Sequence, residues 1–302
     1  MYDLIIIGGG PAGMTAAVYA ARKKMDTLLI TTDFGGQPMW TMEIENYMGY
    51  QFITGPELMA KFEEQVRRFS VKIEYQEATG LTVNDDGTFT VSTMEENHMA
   101  KTVILASGKR PRRLNVPGEE EFTGRGVSYC ATCDGPLFAN KKVAVVGAGN
   151  SAVQAAIEVS AVGEKVYLIS RREYIADPII IDKMKKATNI VELKGYEIKK
   201  ILGSQVVEKI VVRKCESDED HELAVEGIFV EVGLIPNSEF AQKIVNLNES
   251  REVVTDCRTK TNIPGLFAAG DISNGPDKQI VIAAGDGAKA ALIAYDYLLH
   301  KR

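Results

Sequence analysis

The chain has 302 residues, 45% of them hydrophobic and 25% charged, with a formal net charge of -6. That length accommodates two domains with large buried cores. The acidic balance, without any Lys/Arg cluster, argues against a nucleic-acid surface, and no apolar run reaches the roughly 20 residues of a membrane span.

The N-terminus reads directly as a strand, Tyr2-Asp3-Leu4-Ile5-Ile6-Ile7. It has neither a basic lead nor a cleavage site, so it is not expected to be a signal peptide, and a cytoplasmic location is expected. Gly8-Gly9-Gly10-Pro11-Ala12-Gly13 follows, then Ala-rich helical sequence over residues 14–24 and a second apolar strand, Thr27-Leu28-Leu29-Ile30. This is a βαβ unit with a GxGxxG turn. Gly8 permits the tight turn, Gly10 lets a pyrophosphate approach the backbone, and Gly13 lets helix and strand pack closely. The free N–H groups at the helix start favour an anion. The acidic residue expected after the second strand is not evident, because Thr31, Thr32 and Asp33 stand there.

Residues 56–69 predict a helix, with Leu58, Met59, Phe62 and Val66 at helical spacing. Strand-like sequence follows at 89–92 and 102–105, and a Pro- and Arg-rich linker at 109–118. The hexapeptide Cys130-Ala131-Thr132-Cys133-Asp134-Gly135 then places two sulfurs one helical turn apart. A CxxC is also half a zinc site. Here the second half is missing, since Cys215 and Cys257 are isolated and His98, His221 and His300 are scattered, so no metal site is expected. Asp134 is positioned in sequence to move a proton during dithiol exchange.

A second βαβ unit follows. Val143-Ala144-Val145-Val146 leads into Gly147-Ala148-Gly149-Asn150-Ser151-Ala152, helical sequence over 153–162, and the strand Lys165-Val166-Tyr167-Leu168-Ile169. Its end, Ser170-Arg171-Arg172, offers cations suited to a 2′-phosphate. Hairpin-like strands are predicted at 206–214 and 224–232, with Asp218, Glu219 and Asp220 in a solvated turn between them, and a last helix at 281–300. The implied fold is α/β, with two Rossmann-like nucleotide-binding domains, the second inserted into the first. The predicted spans are 1–110, 111–226 and 227–302, with the first domain resuming near Gly227.

Together these motifs resemble the low-molecular-weight thioredoxin reductases over essentially the whole chain. The matching residues are Gly8 to Gly13, Gly35-Gly36-Gln37, Glu45-Asn46-Tyr47, Ala106-Ser107-Gly108, Cys130 to Asp134, Gly147 to Ala152 and Arg171-Arg172. Gly233-Leu234-Ile235-Pro236-Asn237, Ala268-Ala269-Gly270-Asp271 and Lys278-Gln279-Ile280 complete the match. The resemblance implies FAD in the first domain, along Gly36, Gln37, Asn46 and Gly108. Gly270 and Asp271 would meet its ribityl or pyrophosphate part, and Lys278, Gln279 and Ile280 would lie by the ring. It implies a nicotinamide nucleotide in the inserted domain, a homodimer, and rotation of one domain against the other. Cys133 would face the flavin, Cys130 would attack the partner's disulfide, and Asp134 would act as acid and base. The physical motive for rotation is that one flavin face cannot touch nicotinamide and dithiol at once.

The chain departs from the NADPH-using pattern at Ser170, where His is usual, and at Ala176, where Arg is usual. Each lost phosphate contact weakens the NADPH preference by about 1–3 kcal/mol. NADPH is therefore expected, with NADH as the alternative. Pro38-Met39-Trp40 and Met48 are also unusual, and Trp40 is read as core or dimer packing. The expected function is electron transfer from NADPH through FAD and Cys130–Cys133 to a separate thioredoxin, because the chain begins at the first FAD strand. The alternatives are a glutaredoxin-like or peroxiredoxin-linked carrier, or ferredoxin as electron source.

Overall fold

The structure is a computed structural model and describes residues 1–40 and 44–300. The side chain of Trp40 lies outside the described residues. The chain divides into two compact units, Met1–Arg110 with Ile235–Arg302, and Pro111–Leu234.

In the first unit the strands Lys72–Tyr75, Thr27–Phe34, Tyr2–Gly9 and Asn97–Leu105 lie side by side and parallel. The apolar run Leu4 to Ile7 is buried on both faces, as a central parallel strand requires. The nine-residue strand Asn97–Leu105 serves two layers. Its second half pairs in parallel with Leu266–Ala268, while its first half pairs antiparallel with Phe89–Ser92, which pairs in turn with Gly80–Val83. This antiparallel arm covers one face of the parallel sheet, where Leu81, Phe89 and Val91 pack on Ile5, Ile7, Leu28 and Ile30.

Helices cover the other face. Pro11–Arg22 and Ile280–His300 approach so closely that a Cβ on Gly287 would meet the Ala12 carbonyl oxygen at 2.0 Å. The helix Gly55–Arg67 starts at a capping box, in which Thr54 and Glu57 satisfy each other's backbone N–H groups. Its Leu58, Met59 and Val66 are buried and Phe62 is partly buried.

In the second unit a five-stranded parallel sheet runs in the order Ile190–Lys194, Lys165–Ser170, Lys142–Val146, Gly227–Val230, Val127–Ser128. The helix Asn150–Ser160 packs on one face. A three-stranded antiparallel sheet, Tyr196–Gly203, Val207–Lys214 and Asp220–Ala224, packs on the other.

Two expectations change here. The hairpin partner of 207–214 is Asp220–Ala224, not 224–232, and Asp220 opens that strand by pairing with Arg213 at 2.7 Å. All four residues of Gly227–Val230 are buried, and they sit between two parallel strands of the second unit. Their apolar character reflects burial on both faces, so the chain returns to the first unit at Ile235 rather than near Gly227. Among the described residues, no helix is long and apolar enough to cross a membrane.

Candidate active site

The two glycine turns are built alike. In the first, Gly8 has φ +115°, and a Cβ there would lie 2.3 Å from the Ala106 carbonyl oxygen. A Cβ on Gly13 would lie 1.8 Å from the Gly8 carbonyl oxygen. These two glycines hold helix against strand. Gly10, the N-cap residue of Pro11–Arg22, differs, because a Cβ there meets nothing within 4 Å. Pro11 and Ala12 are buried in packing, so a ligand would meet their backbone rather than their side chains.

In the second turn a Cβ on Gly147 would lie 2.2 Å from the Glu231 carbonyl oxygen and 2.7 Å from Ala152 Cβ. Gly149, N-cap residue of Asn150–Ser160, is open within 4 Å. Each turn thus pairs a closely packed first glycine with an open glycine at a helix N-terminus. That geometry fits a pyrophosphate held by backbone N–H groups.

Around the first turn, Gln37 Nε2 donates to Asp271 Oδ2 at 3.5 Å and to the Lys109 carbonyl at 3.4 Å. Asn46 Nδ2 donates to Gln279 Oε1 at 3.1 Å. Gly108 is open on its Cβ side, while Gly270 lies against Ala12. Burial pushes the Asp271 carboxyl up, and Lys278 and Lys109 pull it back in part. Lys278 is tied down at 3.2 Å from Glu252 Oε1, which Lys109 also holds at 2.8 Å. Burial works against the Glu252 carboxylate, yet hydrogen bonds from Lys109, Asn248 and Lys278 bring it down to about 2. Ile280 begins the last helix, and Gly36 lies over Gly10. The structure therefore gathers Gly10, Gly36, Gln37, Asp271 and Lys278 at one end of the sheet. It also brings in Glu252, a loop residue with no motif around it.

Around the second turn, Asn150 exchanges two hydrogen bonds with Asp177, at 3.0 and 2.7 Å, and so pins a loop. Ser170 is buried, and its hydroxyl donates to the Arg172 carbonyl at 2.7 Å. Ala176 is also buried. Arg171 pairs with Glu197 Oε2 at 2.9 Å, and Lys199 holds the other Glu197 oxygen at 3.2 Å. Arg172 is exposed. Glu197 and Glu231 had no sequence signal, because distant strands bring them to the turn.

Burial pushes the Glu231 carboxyl up to about 7, against a hydrogen bond from Ser151 and with help from Glu158. The unfolded chain ionises this group near the ordinary value of 4.5. The folded state therefore loses stability as pH rises from about 4.5 to 7, because the unfolded state releases its proton first. Glu231→Gln removes that loss. Urea melts at pH 5 and pH 8 should show the variant gaining up to about 3 kcal/mol on wild type between the two pH values. An equal pH dependence in both proteins would refute the assignment.

The dithiol follows the strand Val127–Ser128. Cys130 and Cys133 are joined as a disulfide, with Cα atoms 5.3 Å apart. Cys130 is the N-cap residue of the short helix Ala131–Asp134, and the Cys133 backbone N–H donates to Cys130 Sγ at 3.1 Å. Ser128 Oγ accepts from the Cys130 N–H and donates to its carbonyl, which fixes the entry to the turn. Thr132 donates to Glu158 Oε2 at 2.8 Å, anchoring the turn on the helix Asn150–Ser160. Cys130 is half-buried and Cys133 exposed.

Two open glycine turns at helix N-termini and a CxxC disulfide on one chain suit two dinucleotides and a redox-active thiol pair. Residues 2–287 match the profile of the pyridine nucleotide-disulphide oxidoreductases. The chain is 42% identical to an alkyl hydroperoxide reductase subunit of Pseudomonas putida, over 99% of this chain and 58% of that protein. It is 40% identical to a Bacillus subtilis protein named NADH dehydrogenase, over 99% and 59%. The chain thus spans under two thirds of the length of these curated relatives.

Among solved structures, Lactococcus lactis thioredoxin reductase superposes with a TM-score of 0.95 at 40% identity, covering 99% of this chain and 100% of that one. The T. acidophilum thioredoxin reductase superposes with a TM-score of 0.91 at 35% identity, covering 99% of both. The chain belongs to the pyridine nucleotide-disulphide oxidoreductase family and has the fold of its low-molecular-weight thioredoxin reductases.

Proposed function

We propose that this chain passes electrons from a nicotinamide nucleotide, through FAD, to Cys130–Cys133 and on to a thioredoxin or thioredoxin-like protein. The observation that carries the reading is the Cys130–Cys133 disulfide on a chain with two open glycine cradles. Bound FAD would supply the step from hydride to electron pair that a dithiol cannot perform alone.

In this reading Gly10, Gly36, Gly108 and the backbone of Pro11, Ala12 and Gly13 hold the FAD phosphates and ribityl chain. Gln37, Asn46 and Asp271 orient it, and Lys278, Gln279 and Ile280 border its ring. Gly149, Asn150, Ser151 and the backbone near Ala152 hold the nicotinamide nucleotide. Once the pair is reduced, the Cys130 thiolate attacks the partner's disulfide, forming a mixed disulfide and releasing one partner sulfur as thiolate. Cys133 then attacks Cys130, expels the second partner sulfur and re-forms the Cys130–Cys133 bond, while Asp134 exchanges the protons. The backbone N–H at Cys130 Sγ favours its thiolate.

Family resemblance supports a homodimer, and two exposed free thiols, Cys215 and Cys257, suit the reducing cytoplasm. The test is anaerobic reduction of the flavin by NADH and by NADPH, followed by transfer to a panel of thioredoxins and glutaredoxins. Transfer to none of them would overturn the reading.

Nucleotide choice turns on Arg171. Two arginines alone favour NADPH, but Glu197 already neutralises Arg171, and the buried Ser170 and Ala176 add no cation. We therefore propose that NADH and NADPH are used with comparable efficiency. Glu197→Gln frees Arg171 for a 2′-phosphate and should shift the kcat/KM ratio toward NADPH by about tenfold, near the worth of one charged hydrogen bond. An unchanged ratio would remove Glu197 from the specificity argument.

A further inference from the structure

We propose that Glu74, Glu96 and His98 form a binding site for a transition-metal dication, zinc by chemistry. The three lie in the first unit, where the antiparallel arm folds over the edge of the parallel sheet. Glu74 comes from the edge strand Lys72–Tyr75, His98 from the start of Asn97–Leu105, and Glu96 from the turn before it. One ligand atom of each lies within 4.8 Å of the others.

The second observation is burial with incomplete hydrogen bonding. His98 has a side chain only 5% exposed, and its Nε2 makes no hydrogen bond. Glu74 Oε2 approaches it to 2.7 Å and also makes none. That contact is the separation of an ion pair, and a shared zinc would spread the two donors to roughly 3.3 Å. A third buried and unbonded atom, Gln76 Oε1, lies two residues along the same chain segment. Three of the four such atoms among the described residues thus cluster at this corner. Buried polar atoms without hydrogen bonds are costly, and a cation at this corner would coordinate His98 and Glu74 together.

The surrounding charge agrees. Lys72 takes the other Glu74 oxygen, Oε1, at 2.7 Å, which leaves Oε2 for an ion. Glu95 is occupied by the Gln76 amide at 2.8 Å. One imidazole and two carboxylates form a donor set typical of zinc, whereas calcium and magnesium prefer all-oxygen sites. Such an ion would staple the arm to the edge strand.

The test uses flavin-loaded, chelator-stripped protein in the disulfide form, with Cys215 and Cys257 alkylated because exposed thiols also bind zinc. Calorimetric titration with ZnCl2 should show about one equivalent bound per chain and a rise in melting temperature, with neither effect from CaCl2 or MgCl2. His98→Asn and Glu96→Gln should each weaken zinc binding at least about tenfold. Glu96 is exposed, so its variant tests the site even if His98→Asn folds poorly. Unchanged flavin absorbance and flavin reduction would show that a variant is intact. No stoichiometric zinc, or full affinity in Glu96→Gln, would overturn the proposal.

Discussion

Replacing Cys133 by Ser should leave flavin reduction by the nicotinamide nucleotide within about twofold of wild type. It should lower turnover with a protein disulfide by about a thousandfold or more, as expected when one member of a catalytic pair is removed. In the proposed function flavin reduction depends on the two glycine cradles, and neither sulfur builds either of them. Turnover then needs both sulfurs, because the pair accepts electrons only as a disulfide that opens to a dithiol.

The same variant separates the two sulfurs. With Cys133 gone, Cys130 can attack the partner but nothing can resolve the product, so a mixed disulfide should accumulate at Cys130. Cys130→Ser should be equally inactive and trap little. The backbone N–H from Cys133 to Cys130 Sγ survives in Cys133→Ser, so the Cys130 thiolate keeps its stabilising donor. Peptide mapping of the trapped species reads the outcome. A mixed disulfide formed only through Cys133, in Cys130→Ser, would reverse the assigned roles. Retained turnover in either variant would remove the pair from the mechanism.

The second large effect separates packing glycines from ligand-facing ones. Gly13→Ala places a methyl 1.8 Å from the Gly8 carbonyl oxygen, and backbone cannot rotate away as a side chain can. Helix and strand must part, at a cost of about 3 kcal/mol or more, the upper range of overpacking. Gly10→Ala meets no protein atom within 4 Å and has φ -77° and ψ -174°, a conformation open to alanine. It should melt within about 2 °C of wild type, as unstrained surface substitutions do, yet hold flavin at least about tenfold more weakly, because its methyl projects where a pyrophosphate must approach. Melting temperature together with the ratio of flavin to protein absorbance distinguishes the two. Gly10→Ala that retains flavin at full affinity would dissociate this turn from the pyrophosphate. A fully stable Gly13→Ala would refute the packing account.

The parts of the fold that were legible in the sequence are those set locally. Leu4 to Ile7 and Val143 to Val146 declare themselves as doubly buried strands by unbroken apolar character, and the glycine turns follow each at fixed spacing. The dithiol was legible because both sulfurs sit within one turn. What failed was non-local. Gly227–Val230 is as apolar as any central strand, and nothing in its letters says which sheet it joins. Its pairing with Lys142–Val146 closes more than 80 residues of intervening chain.

The electrostatic partners were illegible for the same reason. Glu197 reaches Arg171, and Glu231 reaches the Gly147 turn, only after separate strands assemble. Ser170 stands as a departure at a ligand position, yet its side chain is turned inward to its own turn. His98 looked solitary in sequence because its neighbour Glu74 belongs to another layer of the first unit.

In the proposed function a single flow of electrons runs into the Cys130–Cys133 bond. Anaerobic titration of the oxidised protein with NADH or NADPH tests it, with thiols counted along the way. Full bleaching of the flavin should require about two equivalents of nucleotide per chain, one pair of electrons for the flavin and one for the disulfide, and about one in Cys133→Ser. Complete bleaching of wild type at one equivalent, with Cys130–Cys133 still bonded, would contradict it.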